Sequence, residues 1–294
     1  PNLLNFLDFV ALGTICDVVK LTDFNRVFVK IGLDIVKLRK NKAIAKMIDN
    51  SNITSTPTSS DLAFIIGPQL NAASRIDDSS LPSKLLISNN SLEIESISKK
   101  LFLLNQKRKL IEKENFEKAL IQSEKQSNQK FILVYGENWH NGVLGIIASR
   151  ILSKFHKPTI VISFNNSFGI GSARSINSID LGKMILNAKN EKILINGGGH
   201  KMAAGLKIDL SMLDKFNLFL EKEFSTIPND LFTKIEKYDS YITINEINNE
   251  LLDTISFLEP CGSGNPEPKF ILNDLKIDKY KILKDRHILI FFQN

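Results

Sequence analysis

The chain opens on a continuous apolar run, LLNFLDFVALGTICDVVKL over residues 3–21, without alternation along it. A run of this kind ending in a short polar step predicts a buried strand that feeds a loop. The next segment, NRVFVKIGLDIVKLRKN, returns its apolar residues at helical spacing and predicts a helix. SNITSTPTSS over residues 51–60 is a polar loop, and SSDLAFIIGPQLNAASRI after it reads as a helix capped by Ser59 or Ser60 and broken at Gly67-Pro68.

From Ser91 to about Lys125 the period lengthens into one long amphipathic helix. Ile94, Ile97, Leu101, Leu104 and Ile111 fall three, four or seven apart with charged residues between them. It reads as a connector, an apolar stripe packed inward under a solvated charged face, and SEKQSNQ closes it as a linker. Strand and helix signals then alternate: KFILVY, the helix NGVLGIIASRILSKF, PTIVISF, FGIGSARS, the helix DLGKMILNA, a glycine turn leading into the strand AAGLKI, and the closing helix SMLDKFNLFLEKEF. Such alternation predicts an α/β layer. Beyond residue 227, YITI, a helix near 246–257, PCGSGNPEPKF and two short strand signals suit the start of a small β-barrel. The final HILIFFQN reads as a strand cut short, and with Pro1 at the other end it predicts a fragment of a longer protein.

Composition narrows the class. With 43% hydrophobic and 24% charged residues over 294 positions, this is an ordinary globular chain long enough for two or three domains. No apolar run approaches the ~20 residues of a membrane span, and no signal-peptide pattern opens the chain. Cys16 and Cys261 lie far apart with no zinc-type spacing, which points to a reducing cytoplasm. The net charge of +6 permits an acidic partner such as nucleic acid. Because the basic residues are dispersed, it equally suits a surface that is merely lysine-rich.

Candidate chemistry is scattered through these elements. Asp17, at the end of the opening apolar run, is either a turn aspartate or a ligand at a strand end. Asn71 and Arg75, four apart, share a helix face suited to phosphate, although arginines are usually surface residues. His140 opens a helix where free backbone N–H groups meet an anion, or it caps that helix. Ser172 and Arg174 sit among small residues that let a ligand approach the backbone. Gly198, Gly199 and His200 permit close approach or form only a turn. No HxH or HExxH companion exists for a zinc site.

The order of these motifs is more specific than any one of them. ALGTICDVVKL, GPQLNAASRIDD, WHNGVLGIIASR, GSARS, GGGHKMAAGL and GSGNPEPKF together resemble the RecJ family of single-stranded-DNA-specific exonucleases, within the DHH phosphoesterase superfamily. The resemblance implies an α/β fold class in four parts: the C-terminal part of a DHH catalytic domain (1–90), a connector helix (91–128), a DHH-associated clamp domain (129–226) and a partial OB-type barrel (227–294). It implies 5′-to-3′ hydrolysis of single-stranded DNA at a two-metal site of manganese or magnesium. Asp17 matches the aspartate of the DVV motif and becomes the metal-holding catalytic residue; the aspartate-rich opening and the DHH motif do not occur in the chain. Asn71, Arg75, His140, Ser172, Arg174, Gly198, Gly199 and His200 become substrate contacts. Lys20, Gln69, Ser74 and Ala173 depart from the family's usual residues, while Arg75 and Arg174 keep them. Single-stranded DNA is the implied partner, with single-strand-binding protein and a helicase beside it, no membrane, and a cytoplasmic location. Two alternatives stay open: a DHH-type phosphodiesterase on short oligoribonucleotides or cyclic dinucleotides, and a non-catalytic nucleic-acid-binding protein.

Overall fold

The structure, a computed structural model, describes residues 3–273, 275–283 and 287–293. The chain divides into two compact units, residues 1–67 with 235–294 and residues 68–234. Among the described residues no helix is long and apolar enough to cross a membrane.

The first unit begins with helices. After a 3-10 turn comes α1 (Leu7–Cys16), where a strand was expected. At this length an uninterrupted apolar run exceeds an ordinary buried strand, and its buried residues Leu7, Asp8, Ala11 and Leu12 recur at helical spacing. Asp17 therefore caps a helix rather than ending a strand. Helix α2 (Asp23–Lys37) crosses α1 at Gly32, where a Cβ would lie 2.2 Å from the Leu7 carbonyl. Helix α3 (Lys42–Asn50) is capped by the Asn41 side chain, which accepts from the amides of Ala43 and Ile44.

Thr58, not Ser59 or Ser60, caps the next helix, α4 (Ser59–Asp61), in a capping box with Asp61. The expected break at Gly67-Pro68 is absent. A π turn over Leu62–Ile66 lets the Gly67 amide donate to the Leu62 carbonyl, five residues back, and α5 (Gly67–Ile76) continues the helix. One widened turn ahead of Pro68 absorbs the amide that proline lacks.

The second unit continues from Pro68 through α6 (Leu81–Ile87) into α7 (Ser91–Glu124), a helix of 34 residues that starts and ends where the periodicity placed it. Asn90 caps it. Its buried stripe starts mainly apolar, with Ile94, Leu101 and Leu104 beside Ser98, and turns mainly polar, with Asn105, Arg108, Glu112 and Asn115 before Ala119 and Ser123.

Next come β1 (Ile132–Glu137), α8 (Asn141–Phe155), β2 (Thr159–Asn165), β3 (Phe168–Arg174), α9 (Leu181–Asn190), β4 (Asn196–His200), β5 (Ala203–Asp209) and α10 (Leu213–Ser225). They build one sheet in the order β1-β2-β3-β5-β4. Strands β1 and β2 are parallel through the α8 crossover, and the other pairs are antiparallel. The glycine stretch expected as a turn is itself an edge strand. Residues Asn196–His200 pair with Ala203–Lys207, so partner hydrogen bonds override the poor strand propensity of glycine.

In the first unit's returning segment, β6 (Ser240–Ile242) pairs in parallel with β7 (Phe270–Leu272), and β8 (Ile277–Leu283) with β9 (His287–Phe292) in antiparallel. Helix α11 (Asn249–Ser256) lies between β6 and β7 in sequence. The described residues form two two-stranded sheets and no closed barrel. The PCGSGNPEP segment braces the turn after α1: the Leu21 amide donates to the Ser263 carbonyl, and the Ser59 hydroxyl to the Cys261 carbonyl. Both cysteines are free; burial pushes the Cys16 thiol up to about 11, which keeps it protonated and unreactive.

Candidate nucleic-acid interface

The five-stranded sheet has one covered face and one half-bare face. Helices α9 and α10 lay Met184, Ile185, Phe216 and Leu220 against Leu133, Ile160, Leu206 and Ile208. On the other face, α8 packs Leu144, Ile147 and Ile151 with Ile132, Val134 and Val161 of β1 and β2. Each of these buried aliphatic side chains stabilises by about 1.5–3 kcal/mol. Gly145 of α8 also lies against Ser172 and Arg174 at one end of β3, while Ile170 and Phe168 further along that strand stay exposed.

Strand alternation decides what that bare face carries. On β3, Gly169, Gly171 and Ala173 point into the core, leaving Phe168, Ile170, Ser172 and Arg174 outward. Pairing aligns three cross-strand rows: Arg174 with Ala203 and His200, Ser172 with Gly205 and Gly198, and Ile170 with Lys207 and Asn196. GSARS, AAGL and NGGGH thus converge on one surface. A Cβ on Gly198 would meet nothing within 4 Å, and one on Gly205 only a carbonyl at 3.9 Å. The middle row is therefore a flat floor. Gly199 differs, since a Cβ there would lie 2.3 Å from the Ala203 carbonyl; it serves the fold.

Two arginines meet at the start of α8. Arg174 Nη1 donates to Ser172 Oγ at 3.2 Å and to the Ala173 carbonyl at 2.8 Å. Its Nη2 lies in a notch made by Gly145, 2.8 Å from where a Cβ would be. Arg75, at the end of α5, donates from Nη1 to the Gly142 carbonyl at 3.0 Å. Gly142 has no room for a side chain, because its Cβ would fall 2.2 Å from the Arg75 carbonyl. Burial lowers the pKa of both guanidinium groups. Repulsion from Arg108 adds to this at Arg75, partly offset by Glu112, and repulsion from Arg75 adds to it at Arg174. Two like charges held together with no carboxylate pairing either one, among the described residues, present planar donors to an anion.

The other expected residues fall as follows. His140 is the N-cap of α8: its Nδ1 accepts from the Gly142 amide at 3.1 Å, which requires that nitrogen to be unprotonated. Trp139 beside it is buried and packs on Gly136. Asn71 is exposed on α5 before Arg75, and His200 is exposed at the end of β4. Asp17 is exposed in the first unit. Among the described residues no three His, Cys, Asp or Glu side chains converge. One exposed carboxylate does not fit a two-metal site, which needs several converging ligands. What the described residues bring together is a set of guanidinium and hydroxyl donors at the start of α8.

Sequence reading missed the layer behind Arg75. Glu112 pairs with Arg108 on its own helix and accepts from Arg150 Nη1 of α8 at 3.0 Å. Asn105 Oδ1 accepts from Arg108 Nη2 at 2.9 Å, and Arg150 stacks on the Phe116 ring at 3.8 Å. The available signal was polar residues spaced three and four apart on the inward stripe of α7.

The DHHA1 domain family matches residues 128–226, and the RecJ OB domain family matches residues 238–294. The single-stranded-DNA-specific exonuclease RecJ of Haemophilus influenzae is 34% identical, over 98% of this chain and 51% of its own length. That of Escherichia coli is 32% identical, over 100% of this chain and 52% of its own. The crystal structure of RecJ from Thermus thermophilus in complex with Mn2+ superposes with a TM-score of 0.89 at 28% identity, over 99% of this chain and 43% of that one. The chain spans about half the length of the curated relatives it matches. With that identity running its whole length and both domain families in order, the chain belongs to the RecJ family.

Proposed function

We propose that this chain is the strand-holding part of a metal-dependent exonuclease that hydrolyses single-stranded DNA from the 5′ end, in recombination and repair. The observation that carries the reading is the Arg75–Arg174 pair, an exposed and a part-buried guanidinium group without a carboxylate partner among the described residues, at the rim of an open sheet face. A terminal phosphate accepts from both forks, Ser172 steadies Arg174, and His200 stands in the same row as Arg174. His140 contributes by capping α8 and so fixing the Gly142 carbonyl that holds Arg75. Asn71 flanks the pair on α5, while Gly198 gives the strand clearance over the floor and Gly199 shapes β4. Asp17 would be one carboxylate toward a divalent metal, manganese or magnesium, and that ion would supply the charge stabilisation for hydrolysis of the phosphodiester. Its remaining ligands are not among the described residues. Family membership supports a cytoplasmic setting, with a helicase and a single-strand-binding protein supplying the strand.

Binding and cleavage test this separately. The chain binds 5′-phosphorylated single strands in preference to duplex, and Arg174→Ala weakens binding by about 1–3 kcal/mol, the loss of a charge-assisted hydrogen bond. With manganese the same chain leaves a 5′-labelled strand uncut in single turnover. Robust, chelator-sensitive cleavage would show a complete metal site in these residues; equal affinity for wild type and Arg174→Ala would remove the phosphate assignment.

A further inference from the structure

The bare sheet face continues beyond the arginine pair, and its far end has no assigned role. Two residues along each strand past the glycine floor stand Ile170, Lys207 and Asn196, paired in one row. Ile170 and, one step further, Phe168 are each 46% exposed, a high value for large apolar side chains at the middle and start of a strand. Lys207 Nζ lies 5.3 Å from the Phe168 ring centroid and has no carboxylate within salt-bridge distance among the described residues. Asp209, the nearest acid along β5, is engaged by the amide and hydroxyl of Ser211. Asn196 uses Oδ1 to accept from the Gly197 amide, which leaves its amide NH2 as a donor. Ile170, Lys207 and Asn196 wall an open concavity of about 480 Å³ together with Gly198 and Gly205, with Phe168 beyond it on β3.

Charge along this face is discontinuous. Arg174 and His200 close one end, the middle row carries none, and Lys207 stands at the other. Four strand residues separate the Arg174 row from the Ile170 row, about 13 Å at strand rise. The two cations stand in separate rows of the strand pair.

We propose that Ile170, Phe168, Lys207 and Asn196 form a second nucleotide subsite, taking a base of the same strand against Ile170 and Phe168 and its phosphate on Lys207. The inference rests on the proposed function, because its ligand is the single strand of that reading. A half-exposed aromatic beside an unpaired cation is how sequence-tolerant single-strand binding is built: stacking holds the base and the ammonium tracks the backbone. Asp209, turned to its own loop, ends the path with a negative charge. The strand therefore runs along β3 and β5, and affinity depends on its reaching the second row.

Length dependence separates the two subsites. Anisotropy is measured for 5′-phosphorylated di-, tetra- and hexadeoxynucleotides against wild type, Phe168→Ala with Lys207→Ala, Lys207→Glu, and Arg174→Ala. Wild type gains affinity between the dinucleotide and the tetranucleotide. The double variant loses that gain, about tenfold, and binds the dinucleotide as wild type does; Lys207→Glu loses more. Arg174→Ala weakens every length. Both altered side chains lie on an exposed face, and unchanged melting curves confirm folding. If the double variant weakens all lengths equally, or none, the second subsite is wrong. If Arg174→Ala changes nothing while the length step survives, the anchoring reading fails and the subsite stands. If wild type binds no oligonucleotide, both fall.

Discussion

Gly142 and Gly145 lie one helical turn apart on α8 and serve different ends. A methyl on Gly142 meets the Arg75 backbone carbonyl at 2.2 Å, and neither helix end can yield without moving. A methyl on Gly145 meets only the Arg174 guanidinium, 2.8 Å away at the tip of a flexible side chain, and the Ser172 hydroxyl beside it. Gly142→Ala should therefore cost about 1–3 kcal/mol of stability in denaturant unfolding, the usual penalty for overpacking. Gly145→Ala should leave unfolding nearly unchanged yet lower single-strand affinity by displacing Arg174. Equal effects of the two substitutions on stability would contradict this division. Both glycines stand in the sequence within a motif that reads as a helix opening with free donors. That reading finds the helix and its cap, but not that the glycines clear space for two arginines 67 residues before Gly142 and 29 after Gly145, because clearance belongs to the neighbour and not to the glycine.

At the scale of elements, α7 shows where periodicity stops informing. Spacing alone delimits the helix and picks out Ile94, Ile97, Leu101, Leu104 and Ile111; Ile94, Leu101 and Leu104 are buried and the other two partly so, yet the same inward stripe also carries Asn105, Arg108 and Glu112, each less than a tenth exposed. These would read as solvated residues by type. They are buried because each has a partner: Glu112 satisfies Arg108 and reaches across to Arg150, tying α7 to α8. Removing the shared carboxylate strands a buried cation, so Glu112→Gln should destabilise by about 3 kcal/mol. Arg150→Ala, at the half-exposed end of the network, should cost clearly less. Urea unfolding of the two variants checks the order, and a costlier Arg150→Ala would overturn it. The opening region shows the same limit. The run at residues 7–16 is apolar enough for a buried strand or a buried helix, and only packing against α2 at Gly32 selects the helix.

At the scale of the molecule, the two units differ in how the chain supplies them. Residues 68–234 are contiguous and hold two apolar clusters, one on each face of a single sheet. Residues 1–67 and 235–294 must come together from opposite ends of the chain, joined by contacts such as Arg26 Nη2 with the Leu258 carbonyl at 3.0 Å. Expressed alone, residues 68–234 should fold with a cooperative melt and keep dinucleotide binding, since Arg75, Ser172 and Arg174 all lie within them. Residues 1–67 alone should not. A non-cooperative melt of the 68–234 fragment would show that its cores depend on the rest of the chain.

The sequence by itself determined the order of elements in the second unit, the length of the connector helix and the family. These follow from local periodicity, capping and motif order, which are properties of neighbours along the chain. Only the tertiary structure decided that NGGGH is an edge strand, that Gly198 lies on an open floor while Gly199 is confined, and that Arg75 and Arg174 share one rim. Each of these depends on which strand or helix arrives opposite a residue. Strand pairing and helix contact are made between segments distant in sequence, and single-chain spacing carries no record of them.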